Sequence, residues 1–171
     1  MYGTVERLDD DQWRLRFTRK LEHPLARVWA AVTEPGHLLA WFPTTIEGER
    51  AAGAPLRFSF PKGEAQPFAG EMLAYEPPHV MELRWGEDIL RIELEAVEGG
   101  TELTLLDTLG QTGKAARDAA GWHTCLDALQ AHLAGAADAR DAMSSWKEVH
   151  HVYVESLGPE GATIGPPEGL D

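Results

Sequence analysis

Asp107 is the residue of this chain best placed by type and spacing to do chemistry. It alternates with Leu103, Leu105 and Leu109 along a period-two segment, so it shares their inward face. A carboxylate turned into an apolar interior is costly, and its pKa rises unless a partner is supplied. Such a group can act as a cavity acid, or as an acceptor that orients a polar ligand atom. At a strand end the same residue would instead be exposed or would cap the following loop, the commoner situation of an aspartate. His123 and Asp127 are four apart on a helical pattern and can meet, which is acid/base spacing. Both fall on the polar flank of the helical wheel, where a surface pair is expected. The single cysteine, Cys125, sits among Trp122, Leu126 and Leu129 with no basic helical neighbour, and so reads as a small core residue, not a nucleophile. Of the seven histidines, His150 and His151 are adjacent and would splay apart on a helix; no His-x₃-His and no zinc-spaced Cys/His set occurs. No metal site and no cofactor is expected. There is no G-x-G-x-x-G, no phosphate-binding loop, no G-x-S-x-G and no Ser/His/Asp set in workable chain order, so no catalytic residue is assigned.

The elements that position these residues follow from periodicity. Trp13, Leu15 and Phe17 alternate with Arg14, Arg16 and Thr18 in a half-buried strand from Gln12 to Leu21. Pro24 opens a helix carrying Leu25, Val28, Trp29 and Val32; Pro35-Gly36 stops it, and a second short helix carries Leu38, Leu39, Trp41 and Phe42. Period two then returns: Leu56, Phe58 and Phe60; Phe68 to Tyr75, with Met72; Met81, Leu83 and Trp85; Leu90, Ile92 and Leu94; and, after a Gly99-Gly100 hairpin signal, Leu103 to Leu109. From Thr112, a candidate N-cap, to Ala134, before a Gly135 stop, Trp122, Leu126, Leu129 and Leu133 form one helical stripe. Gly121 beside Trp122 would let another element approach closely. Trp146, Val149, Tyr153 and Leu157 favour a last helix, although Val152 and Val154 leave a strand open. Residues 1–11 are expected to be a loose arm, 12–157 one domain, and the Gly/Pro-rich residues 158–171 a disordered tail.

The chain has 171 residues, 15 Lys+Arg against 28 Asp+Glu, and a formal charge of −13. That excess argues against binding to a nucleic-acid backbone or to an anionic membrane. One cysteine forms no internal disulfide, no basic-then-apolar leader opens the sequence, and no apolar run of about 18 residues occurs, so a cytoplasmic protein without membrane insertion is expected.

Strands in succession with helices segregated predict an α+β fold. Four segments in order, HPLARVWAAVTEPGHLLAWF, GEMLAYEPPHVMELRW, GGTELTLLDT and AAGWHTCLDAL, resemble the START-like, helix-grip superfamily (SRPBCC). Within it they are most similar to the group named for the C-terminal domain of the activator of the ninety-kilodalton heat-shock protein ATPase. The closing WKEVHHVYVESLG resembles the final helix of many bacterial members. The resemblance implies a curved antiparallel sheet of about seven strands around a long C-terminal helix, two short helices after the first strand, and a cavity between sheet and helix. It also moves Trp41, Trp85 and Trp122 toward that cavity. With the inward strand and helix positions, the expected lining is Trp41, Phe58, Phe60, Met72, Leu83, Trp85, Leu105, Asp107, Trp122, Leu126 and Leu129.

The expected role is binding of a small apolar or aromatic molecule. One alternative is a polyketide cyclase or hydratase using Asp107 as its acid. Another is a co-chaperone module for a heat-shock ATPase, which the short stretch before the first strand disfavours. An apolar terminal helix could support a homodimer. Fold alone does not choose among these.

Overall fold

The computed structural model describes residues 1–9, 11–142, 144–168 and 170. Alternation in sequence becomes ladder register: eight strands form one sheet in the order β1-β2-β8-β7-β6-β5-β4-β3, every neighbouring pair antiparallel. The strands are β1 (Thr4–Arg7), β2 (Trp13–Leu21), β3 (Thr45–Glu47), β4 (Pro55–Ser59), β5 (Phe68–Glu76), β6 (Val80–Trp85), β7 (Asp88–Val97) and β8 (Gly100–Thr108). The helices are α1 (Leu25–Thr33), α2 (Pro35–Leu38), α3 (Ala115–Leu133) and α4 (Trp146–Leu157). The curved sheet around the long α3 is the α+β helix-grip arrangement expected from the sequence.

The inward faces are those that period two selects. Trp13, Leu15 and Phe17 of β2, Leu83 of β6, Leu90 and Ile92 of β7, and Leu103 and Leu105 of β8 are all buried. Against them α3 sets Leu126, Leu129 and Leu133 together with Ala115, Ala116, Ala119 and Ala120, whose small side chains bring the helix axis close to the sheet. Gly99 and Gly100, at φ +82° and +159°, make the β7–β8 hairpin, and Gly135, at φ +87°, ends α3.

Five expectations are corrected. The sheet has eight strands because β1 and β3, of four and three residues, are too short to show alternation. Residues 1–11 are not simply a loose arm, since β1 pairs with β2 and Glu6 holds Arg14 Nη2 at 2.6 Å and Arg16 Nε at 2.5 Å. Thr112 makes no cap; it lies in a 3₁₀ turn, Thr112–Lys114, that leads into α3. His123 is buried, because α4 packs along α3 and brings Tyr153 Oη to 3.0 Å from His123 Nδ1. The tail is laid on the fold: Gly161 is buried against Trp13, Ile164 N–H donates to Gly113 O at 3.0 Å, and a Cβ on Gly113 would collide with Thr163 Oγ1. The choice left open at residues 146–157 falls to a helix, with Val149 and Tyr153 buried. Among the described residues no helix is long and apolar enough to cross a membrane.

Candidate functional site

Asp107 and Trp122 meet between β8 and α3. Asp107 stands one residue before the end of β8, opposite Leu90 of β7, and is fully buried. The Trp122 indole N–H, from the second turn of α3, donates to Asp107 Oδ2 at 2.9 Å, so the strand residue and the helix residue fix each other's orientation. Asp107 Oδ1 is buried without a partner. Burial first, then the nearby Asp88 and Asp118 charges, push the Asp107 carboxyl well above the usual carboxylate range against the opposing pull of the indole N–H. Asp107 is thus inward, as its strand parity predicts, and its partner is an indole.

In front of Trp122 lies an open cleft of about 690 Å³ between α3, the end of β6 and the chain that follows β4. Its apolar wall is Pro43, Phe60, Trp85, Trp122 and Trp146. The aromatic rings interlock behind that wall. Trp85 and Trp122 centroids are 5.9 Å apart, Phe42 lies 5.2 Å from Trp85 and 5.6 Å from Trp122, and Phe58 and Phe68 lie 4.8 and 5.0 Å from Trp85. All of these but the tilted Phe42–Trp122 pair are edge-to-face, and such contacts hold a wall rigid. Gly121 faces the cleft, and a Cβ there would meet nothing within 4 Å. This corrects the expectation that Gly121 admits a neighbouring element; it leaves open space instead. On the other side stand Lys114, Arg117 and Asp118 from the start of α3, with Glu64 opposite and Glu168 and Leu170 of the tail at the rim.

The expected lining divides. Phe60, Trp85 and Trp122 face the cleft. Trp41, Phe58, Met72, Leu83, Leu105, Leu126 and Leu129 are buried in the core and do not line it. Trp41 Nε1 is satisfied by Ala31 O at 2.9 Å, a core indole with its donor paired. The side chains between sheet and α3 fill the space that the superfamily resemblance left for an inner cavity, and the accessible volume lies at the mouth. A second cleft of about 630 Å³ lies between α1–α2 and the β3–β5 side, lined by Trp29, Thr33 and Tyr75 among others. Its one arginine, Arg50, is committed to backbone carbonyls of Thr33 and Ile46 at 3.0 and 3.1 Å. Cys125 is a buried thiol pushed by its surroundings to about 12, in keeping with the core role read from its neighbours.

Sequence reasoning missed Asp88 and Lys114. Lys114 Nζ sits 2.5 Å from Asp88 Oδ2 and 3.1 Å from Asp118 Oδ2, and Gly110 N–H donates to Asp88 Oδ1 at 2.8 Å. Burial draws the Lys114 ammonium down, but Asp118 and Asp88 outweigh it and hold its pKa above the ordinary lysine value. Burial likewise raises Asp88 despite the Gly110 N–H and Lys114. The usable signal was strand parity once β7 is started at Asp88, which puts Asp88 on the same face as Leu90 and Ile92. The i,i+4 spacing of Lys114 and Asp118 was the other.

Residues 22–134 match the model of the family described as Activator of Hsp90 ATPase homolog 1-like protein. No curated protein matches the sequence significantly. Among solved structures, the conserved protein of unknown function EF2215 from Enterococcus faecalis is 22% identical with a TM-score of 0.76, over 91% of this chain and 90% of that one. The protein encoded by gene BPP1335 of Bordetella parapertussis is 26% identical with a TM-score of 0.65, over 88% of each chain. DynU16, from the dynemicin biosynthetic locus, is 25% identical with a TM-score of 0.66, over 74% of this chain and 49% of that one.

Proposed function

Because this chain belongs to the family of Activator of Hsp90 ATPase homolog 1-like proteins, we propose that it binds a small, mainly aromatic molecule in the cleft between the sheet and α3. The observation that carries this is the wall of Phe60, Trp85 and Trp122, rigidly backed by other rings and facing open space at Gly121. Small-molecule sites are concave, of about 300–1,000 Å³, apolar, with a few convergent polar groups. The cleft's 690 Å³ and its Lys114, Arg117 and Asp118 edge have that character. A flat ring can lie on Trp85 or Trp122, with its polar substituents toward Arg117. The Arg117 Nε donates to Asp118 Oδ1 at 3.0 Å, which holds the guanidinium at the rim. A neighbour from a biosynthetic locus is in keeping with a small-molecule occupant. Asp107 stands behind Trp122 and does not line the cleft, so a role for it as a catalytic acid would require the indole to move first.

The test is a titration with flavonoids, sterols and fatty acids followed by tryptophan fluorescence and calorimetry. Saturable binding of an aromatic ligand is expected, lost in Gly121→Phe, which fills the cleft from a position where nothing is displaced. No saturable binding across the panel, or binding that Gly121→Phe leaves intact, refutes the assignment.

A further inference from the structure

Behind the cleft wall, three carboxylates from three elements converge. Asp88 opens β7, Asp107 closes the inward face of β8, and Asp118 lies in the first turn of α3; one oxygen of each lies within 4.8 Å of the others. Asp88 and Asp107 are buried and Asp118 is 17% exposed. Three formal negative charges, two of them buried, need cations, because an unpaired buried charge is far more costly than a paired one. Lys114 supplies one, with its Nζ between Asp88 and Asp118, and Arg117 supplies a second from the rim of Asp118. One charge is left over. It falls on Asp107, where the geometry is also incomplete. Asp107 Oδ2 accepts from Trp122 and Asp88 Oδ1 accepts from Gly110, yet the fully buried Asp107 Oδ1 accepts from nothing. A buried acceptor without a donor is uncommon and marks a missing partner.

We propose that Asp88, Asp107 and Asp118 form a binding site for one hard divalent cation, of the Ca²⁺, Mn²⁺ or Mg²⁺ class, beside the Lys114 ammonium that now pairs with Asp88 and Asp118. The donor set is carboxylate oxygen throughout, without imidazole or thiolate, which selects hard cations over zinc or copper. Lys114 and Asp118 also line the cleft, so an ion has a path from solvent, water can complete its coordination, and the lysine has room to swing out. Lys114 is then a built-in competitor that makes the site weak. The inference does not rest on an organic ligand in the cleft. The alternative occupant of the Asp107 gap is a proton, and the two are separable.

The test uses chelator-stripped full-length protein titrated with Tb³⁺, a luminescent lanthanide that stands in for Ca²⁺, with excitation of tryptophan. The Trp122 indole is bonded directly to one proposed ligand and should sensitise emission. Saturable emission that excess Ca²⁺ or Mn²⁺ removes is expected. Asp118→Asn should weaken it roughly tenfold, and Lys114→Met should strengthen it by about as much. Trp122→Phe should dim the emission while calorimetric binding of the ion persists. No saturable emission at neutral or mildly alkaline pH leaves a proton as the occupant and overturns the proposal. So does emission that neither Asp118→Asn nor Lys114→Met alters, which would place the ion on surface carboxylates. Asp118 is partly exposed, so its asparagine variant keeps the result readable where Lys114→Met does not fold.

Discussion

At the residue scale the decisive pair is Asp107 and Trp122. Among the described residues each side chain hydrogen-bonds to the other's, and both are buried. Removing one partner strands the other, so Asp107→Leu and Trp122→Phe should each cost about 1–3 kcal/mol beyond any packing loss. The double variant should cost clearly less than the two together, because no buried polar group remains unmatched. Chemical denaturation of the four proteins checks this, and strict additivity would mean that the hydrogen bond contributes nothing. Asp107→Asn keeps an acceptor for the indole but has no charge to bury. Because the folded-state pKa of Asp107 is raised, its contribution to stability is complete below the unfolded-state value of about 4 and is lost as pH rises through the folded-state value. The metal-free wild-type protein should therefore lose stability from acid toward neutral pH at this site, and Asp107→Asn should flatten that slope. Equal slopes in the two proteins would show that Asp107 is ionised at no cost.

At the scale of elements, α3 carries both the cleft and the seam with α4. Gly121 is helical, faces open space and has no positive φ, so Gly121→Ala should stabilise the protein by about 0.5–1 kcal/mol, seen as a raised melting temperature. On the α4 side, burial depresses the pKa of His123 although Asp127, 3.8 Å from its Nε2, pulls it up. A lowered histidine pKa contributes stability that is present above about pH 6.5 and lost as pH falls through the folded-state value. Acidification should thus loosen α4 from α3, read as earlier exposure of Tyr153, and His123→Phe should remove that dependence. These two faces differ in how much of them the sequence discloses. The stripe of Trp122, Leu126, Leu129 and Leu133 is legible because it repeats at helical spacing against an apolar sheet. His123 and Asp127 read as a surface pair because nothing in their own segment announces that Tyr153, thirty residues on, will cover them. The same limit applies to the site. Asp107 is legible from parity within one strand, and Trp122 from its place on the stripe. The Asp88–Asp107–Asp118 convergence depends on the registry of β7 with β8 and on where α3 begins, which no local period encodes. For Phe58, Met72, Leu83, Leu105, Leu126 and Leu129 the sequence period shows an inward direction but not that they pack into the core instead of lining a cavity, because parity gives direction and not distance.

For the whole molecule, the C-terminal segment and the cleft belong together. Gly161 rests on Trp13, Ile164 is tied to Gly113, and Glu168 and Leu170 then reach the cleft rim. Deleting residues after Ile164 should leave the fold intact and raise the association rate of a cleft ligand, measured by stopped-flow fluorescence; an unchanged rate would show that the segment does not obstruct the cleft. The sheet order carries a different consequence, one of time. β5, β6, β7 and β8 follow one another as a meander, so each ladder closes over a short loop. β2, in contrast, pairs with β8 across nearly the whole domain, Arg14 opposite Thr108. Loop-closure entropy disfavours that pairing until its partner strand is in place, and topologies with many such contacts fold slowly. The meander is then the nucleus, and β2 docks last, drawing β1 with it. Destabilising changes at the Gly99-Gly100 hairpin should mainly slow refolding, whereas those at Leu15 or Phe17 should mainly speed unfolding. β2 precedes β8 in the chain with α1, α2 and β3 to β7 between them, and on this topology it is the last to find that neighbour.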